Sequence, residues 1–172
     1  MEFSGMIDSA LGFVRANQNW LAPAVFVLAF LESLAFVSLL VPSTAILAAL
    51  GLAIGAGHLP FWPPFLAAVA GAVLGDWLSY EIGRRYKSEV KDMWPFSKQP
   101  GIFERGENFF RKYGAPGYFA GRFVGPLRAV FPLICGISAM PATVFHATNA
   151  ASAIAWAAVY LGGSVVLGRL FG

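Results

Sequence analysis

The chain has 172 residues, of which 58% are hydrophobic and 12% charged, with a formal net charge of +3 and a mean hydropathy of +0.66. An ordinary soluble domain is near half apolar and about a quarter charged, so this composition excludes one and points to lipid as the solvent. The basic excess gathers in one segment instead of interleaving with a soluble aromatic platform, which argues against nucleic acid as a partner and for membrane topology as its origin.

The placement of charge says more than its amount. Residues 33–75 and 129–168 contain no Asp, Glu, Lys or Arg, and each gap is roughly twice the ~20 residues that cross a bilayer once. At the N-terminus, Glu2 and Asp8 are acidic and no basic stretch precedes a short apolar core, so residues 1–19 are expected to be mature protein and not a secretory signal. Cys135 is the single cysteine; it excludes a disulfide framework or a cysteine-rich metal site and reads as inert packing.

In chain order, Phe3, Met6, Ile7, Ala10, Leu11 and Val14 recur at helical spacing with Asp8 and Arg15 off that stripe, which predicts an interfacial helix over 1–19. From Trp20 to Gly57 the chain is apolar but interrupted by Glu32 and by Val41-Pro42-Ser43-Thr44. Proline removes a backbone donor and disfavours helix in the residue before it, so a break is expected near Val41. Ser43 and Thr44 can cap a helix that restarts there. The two pieces are short for separate crossings, so a re-entrant hairpin is expected, with two full crossings as the alternative.

Gly55-Ala56-Gly57-His58-Leu59-Pro60 reads as a turn, and Phe61 to about Gly83 as a membrane span with Asp76 inside it. Residues 84–113 follow as a basic loop, in which residues 84–112 hold eight basic and four acidic side chains. The positive-inside rule places this loop in the cytoplasm. Ile102, Phe103, Gly106, Phe109, Phe110 and Tyr113 share one helical face there, with Glu104, Arg105, Glu107, Arg111 and Lys112 elsewhere, which predicts an amphipathic surface helix.

From Gly114 to Met140 a second apolar stretch carries Arg122 and Arg128 and is interrupted by Gly125-Pro126 and by Pro132. It is expected to form a second hairpin. Pro141 to Phe171 is a last span, whose Ala150-Ala151-Ser152-Ala153 run lets another helix approach closely. The fold class expected is therefore an all-α polytopic membrane protein of one domain. It has two inverted repeats, residues 20–83 and 114–172, each a proline-broken re-entrant hairpin followed by a transmembrane helix, with amphipathic interfacial helices added. Paired interrupted segments in corresponding positions point to a transporter site near the bilayer midplane.

Glu32, Asp76, Arg122 and Arg128 are ionisable residues set in apolar sequence, and a charge at bilayer depth costs at least ~2.5–3.5 kcal/mol. Two readings compensate that cost. Each acid can pair with an arginine for purely structural reasons, or some of the four can line a wet cavity. In the second reading Arg122 and Arg128 grip an anionic headgroup, since the planar guanidinium binds phosphate in bidentate fashion. Glu32 or Asp76 would then exchange a proton.

The remaining polar residues carry blander readings. Arg84 and Arg85 read as membrane-edge anchors, and Trp20, Trp62 and Trp94 as interfacial belts. Ser43, Thr44 and Asn149 read first as caps or interhelical hydrogen bonds, and His58 and His146 lack a second metal ligand at helical spacing. No phosphate-binding glycine loop, paired nucleophile and base, or His-rich hydrolase motif occurs, which argues against an enzyme and against ATP-driven transport.

Specific residues resemble a known family. Phe30-Leu31-Glu32-Ser33 with Val41-Pro42-Ser43, Gly75-Asp76-Trp77-Leu78-Ser79-Tyr80-Glu81-Ile82-Gly83-Arg84, and Phe119-Ala120-Gly121-Arg122-Phe123-Val124-Gly125-Pro126-Leu127-Arg128 are similar to the DedA, or VTT-domain, family. Asn149, Trp156 and Gly162-Gly163 continue the match. The resemblance implies two opposed re-entrant hairpins in the bacterial cytoplasmic membrane. It also implies translocation of a lipid such as undecaprenyl phosphate, linked to the proton gradient and needing no cofactor.

By the same resemblance, Glu32 matches the family's membrane acid and Arg122 and Arg128 its arginine pair. Thr44 stands where many members carry a further acid, which leaves the proton role to Glu32 or Asp76, or makes the protein a facilitator. The alternatives are a phosphatidylethanolamine or phospholipid flippase or scramblase, a proton-coupled transporter of a small solute or drug, and a non-transporting envelope scaffold. The expected partners are membrane lipids and protons, with homo-oligomerisation left open.

Overall fold

The structure, a computed structural model, describes residues 18–34, 43–56, 59–87, 89, 100–124, 128 and 130–171. The interfacial helix expected over 1–19 therefore lies almost wholly outside the described residues, as do Trp94 and His58. All the regular elements described are helices: α1 (Gln18–Ser33), α2 (Ser43–Gly55), α3 (Trp62–Tyr86), α4 (Pro100–Gly121), α5 (Phe131–Ile137), α6 (Ala142–Ala157) and α7 (Gly163–Phe171). A π-helical turn, Ala158–Gly162, joins α6 to α7.

Two helices are long and apolar enough to cross a membrane, α3 and the continuous rod of α6, the π turn and α7. Their outward faces are apolar: Trp62, Leu66, Leu74 and Trp77 on α3, and Ile154, Val159, Val166 and Leu170 on the rod, are exposed. Large apolar side chains displayed along both rods suit lipid and not water. A proline in the first turn opens α3, where a missing N–H costs nothing, and Arg84 and Arg85 close it, where cations suit the helix dipole.

Three boundaries differ from the sequence expectation. α1 ends at Ser33, well before Val41, although the restart at Ser43 is as expected. Pro132 does not interrupt a helix; it sits in the first turn of α5 and starts one. The amphipathic helix does not stop at residue 113 but continues through α4 across a kink at Gly114 (φ 56°, ψ −134°), a left-handed φ that suits glycine, two residues before Pro116. Its apolar face covers protein: Gly106 lies against Ile134, and the rings of Phe109 and Phe131 are 5.5 Å apart. Glu104, Arg105, Arg111 and Lys112 remain exposed.

Side-chain register fixes the helix directions. α1 runs with α3, because Gly71 faces Phe26 and Ala29, Gly75 faces Phe30 and Ser33, and Ser79 Oγ donates to the Ser33 carbonyl at 3.3 Å. α2 runs against α1, with Leu21 near Ile54 at one end and Val25 and Ala29 near Leu47 further along. The α6–α7 rod runs against α3. Phe65 clusters with Leu161, Ala68 and Ala72 with Ala153 and Ala157, and Tyr80 stacks on Phe145 with ring centroids 4.1 Å apart.

One packing rule recurs in both halves. Before and after the basic segment the helices pack in a crossed way: α1 lies on α3 and α4 on α6, while α2 lies on α7 and α5 on α3. The α2–α7 contact is backbone to backbone, since a Cβ at Gly55 would meet Val165 and Gly168, and one at Gly168 would meet Leu52 and Gly55. Gly55→Val is therefore expected to destabilise the protein by about 1–3 kcal/mol, read as a lowered Tm in detergent. Gly162→Ala, where a Cβ would meet nothing within 4 Å, should change it little; equal effects would refute the close approach.

Candidate functional site

Four charges meet in the helix core. Asp76, in the middle of α3, pairs with Arg122, the first residue after α4. Glu32, at the end of α1, pairs with Arg128, which lies between α4 and α5. Glu32, Asp76 and Arg122 are each 4% exposed. Both acids come from before the basic segment and both arginines from after it. The structure thus compensates each acid with an arginine, the arrangement that the sequence left open against a wet cavity.

The two pairs have different surroundings. Asp76 Oδ2 also accepts from Tyr118 Oη at 3.0 Å. Arg122 Nη2 donates on to Asn149 Oδ1 at 3.3 Å, and Asn149 Nδ2 donates to the Val73 carbonyl at 3.0 Å. This pair is the hub of a network tying α3, α4 and α6 together. Arg128, by contrast, lies with its guanidinium 4.6 Å from the centroid of the Trp156 ring, a cation–π contact.

Donors remain after these bonds are counted. Among the described residues, Arg122 Nη1, Arg128 Nε and Nη2, and Trp156 Nε1 are buried without a hydrogen-bond partner, as is Ser33 Oγ. Arg128 uses Nη1 for Glu32, so its opposite edge, Nε with Nη2, is the planar fork that matches two oxygens of a phosphate. Beside the network, α4 and α6 form an open apolar groove of about 510 Å³ lined by Ala115, Pro116, Phe119, Ala147, Thr148 and Ala151. Ala115 and Phe119 precede Arg122 by seven and three residues, on the same helical face.

Of the residues singled out from sequence, Glu32, Asp76, Arg122, Arg128 and Asn149 come together. Pro42, Gly125 and Pro126 lie outside the described residues, as do the side chains of Ser43 and Thr44, which begin α2. Cys135 is fully buried, while Trp20 and Trp62 are exposed as interfacial tryptophans would be. His146 is exposed and meets the rings of Tyr80 and Phe145 edge-on. Two site residues were missed as such: Tyr118, four residues before Arg122, and Trp156, seven after Asn149. Both spacings put them on the face of a residue already chosen.

This is a helical membrane protein whose core charges are neutralised in pairs, three of the four lying at or beyond helix ends and Asp76 inside α3. Residues 41–165 match the VTT domain, and the chain belongs to that family, the DedA family. It is 34% identical over 149 residues to the inner membrane protein YabI of Escherichia coli, covering 86% of this chain and 58% of YabI. It is 30% identical over 137 residues to the inner membrane protein YghB of the same organism, covering 78% and 62%. An uncharacterized membrane protein of Mycobacterium tuberculosis, Rv2637, is 37% identical over 95 residues, covering 53% and 44%. The chain thus spans less than two thirds of the length of these relatives. No solved structure matches it. The protein is a multi-pass protein of the bacterial inner membrane.

Proposed function

We propose that this protein moves a lipid with an anionic phosphate headgroup, a polyprenyl phosphate or similar, across the inner membrane without acting as an enzyme. The observation that carries the reading is the Nε–Nη2 edge of Arg128, buried without a hydrogen-bond partner, as is Arg122 Nη1. Arginine cannot lose its charge at bilayer depth, so these donors favour a permanent anion over a neutral solute. The apolar groove that approaches Arg122 offers a hydrocarbon chain a path beside the headgroup.

The crossed packing of arms on long helices, with α3 and the α6–α7 rod antiparallel, supports two inverted repeats with re-entrant hairpins. Rocking of one repeat against the other would expose the arginines to each side in turn. A phosphate bound on the Nε–Nη2 edge of Arg128 adds an anion close to the Glu32 carboxylate, and proton uptake by Glu32 would relieve that repulsion. Asp76 is tied into the network of Arg122 and Tyr118, whereas Glu32 is paired with the arginine whose second edge faces the phosphate, so the proton role is given to Glu32.

The test is reconstitution into vesicles with labelled polyprenyl phosphate or phospholipid, with and without an imposed pH gradient. Wild-type protein is expected to accelerate lipid translocation, and to do so faster with the gradient. Glu32→Gln should still bind lipid phosphate yet ignore the gradient. If Glu32→Gln responds normally and Asp76→Asn does not, the proton role moves to Asp76. If both variants and the wild type move lipid regardless of the gradient, the protein is a passive scramblase.

A further inference from the structure

We propose that Trp156 is a third headgroup ligand and that its indole N–H makes the site select a phosphomonoester lipid over a phosphodiester one; this rests on the reading that Arg122 and Arg128 hold a lipid phosphate. Trp156 is fully buried, and among the described residues its Nε1 has no acceptor. A buried tryptophan N–H ordinarily finds one, because an unmade bond there is unfavourable. Phenylalanine would fill most of the same core space and stack on Arg128 without leaving a donor open. The indole is donor-only, as is guanidinium, and the ring lies directly beneath Arg128.

Arg122 Nη1, Arg128 Nε, Arg128 Nη2 and Trp156 Nε1 therefore supply N–H groups from three side chains on separate segments. A phosphomonoester presents three terminal oxygens and about −1.5 to −2 charge near neutral pH, enough acceptors for all three side chains. A phosphodiester has two non-bridging oxygens and a single charge; each oxygen accepts more than one hydrogen bond, but the vertex that would meet the indole is a weakly accepting ester oxygen, so the Trp156 bond is lost when it binds. That unmade bond is the source of selection, since sites built from fixed donors reject ligands lacking the acceptor.

Equilibrium binding in detergent micelles tests this with fluorescent phosphatidic acid and fluorescent phosphatidylglycerol of the same chain length, at a pH well above the second phosphate pKa of about 6. Wild type is expected to prefer phosphatidic acid by about tenfold, the effect of one charge-assisted hydrogen bond. Trp156→Phe should lose most of that preference while keeping its phosphatidylglycerol affinity and its Tm. Trp156→Leu, which also removes the cation–π contact, should weaken both lipids. An unchanged preference in Trp156→Phe, or no preference in wild type, overturns the proposal. Preference in the wild type, lost in Trp156→Phe, with no translocation in vesicles would sink the transporter reading and leave this site standing.

Discussion

Asp76→Ala is expected to destabilise the protein by about 3–5 kcal/mol, because it leaves Arg122 as an uncompensated charge in the core. Arg122 is 4% exposed, and Tyr118 Oη would lose its acceptor at the same time. Thermal unfolding in detergent should show a large drop in Tm and a falling yield of monodisperse protein. The double variant Asp76→Ala with Arg122→Met should recover much of the loss, since removing both members of a buried pair is often neutral or stabilising. A double-mutant cycle with coupling near zero would show that the pair does not hold the helices together.

Arg128→Lys is expected to lower lipid translocation about a hundredfold with little change in Tm, the effect of removing roughly two charge-assisted hydrogen bonds. Lysine keeps a positive charge for Glu32 but has no planar edge to present to a phosphate. The initial rate in vesicles, set beside the Tm, separates this from a folding defect. Full activity in Arg128→Lys would remove bidentate recognition from the mechanism. Arg122→Lys is a poorer probe, because Arg122 also bridges Asp76 to Asn149, so transport and fold would fall together.

How far the site was legible in the sequence follows from the physics of each residue. Glu32, Asp76, Arg122 and Arg128 stood out because the cost of charge in apolar sequence has to be met by a partner or a function. Which acid meets which arginine did not, since Glu32 and Arg128 are 96 residues apart and only the tertiary fold brings them together. Trp156 entered only as part of the resemblance and Tyr118 not at all, because a hydrogen-bond partner, or the lack of one, is invisible until the surroundings are known. Proline signals located the restart at Ser43, yet α1 ends at Ser33, so the proline alone does not set the end of the helix before it.

The π turn at Ala158–Gly162 had no comparable signal. It is a single wide turn between Trp156, which faces the charges, and Val165; Leu161, within the turn, packs with Val165 and Ile54. Such turns are frequent at functional sites, and here one re-aims the rod between its two contacts.

The division of charge between the halves bears on how the protein is made. Glu32 and Asp76 leave the ribosome first, and their counter-charges, Arg122 and Arg128, follow only after the basic segment has been synthesised. Until then the early half carries two acids that lipid penalises by at least ~2.5–3.5 kcal/mol each, and the late half alone would carry two cations. Each half is therefore expected to settle less readily at full depth by itself than with the other. Pairing of Glu32 with Arg128 and of Asp76 with Arg122 then offsets the cost in both halves at once, and a chain truncated before Arg122 is expected to be less stable in the membrane than the whole one.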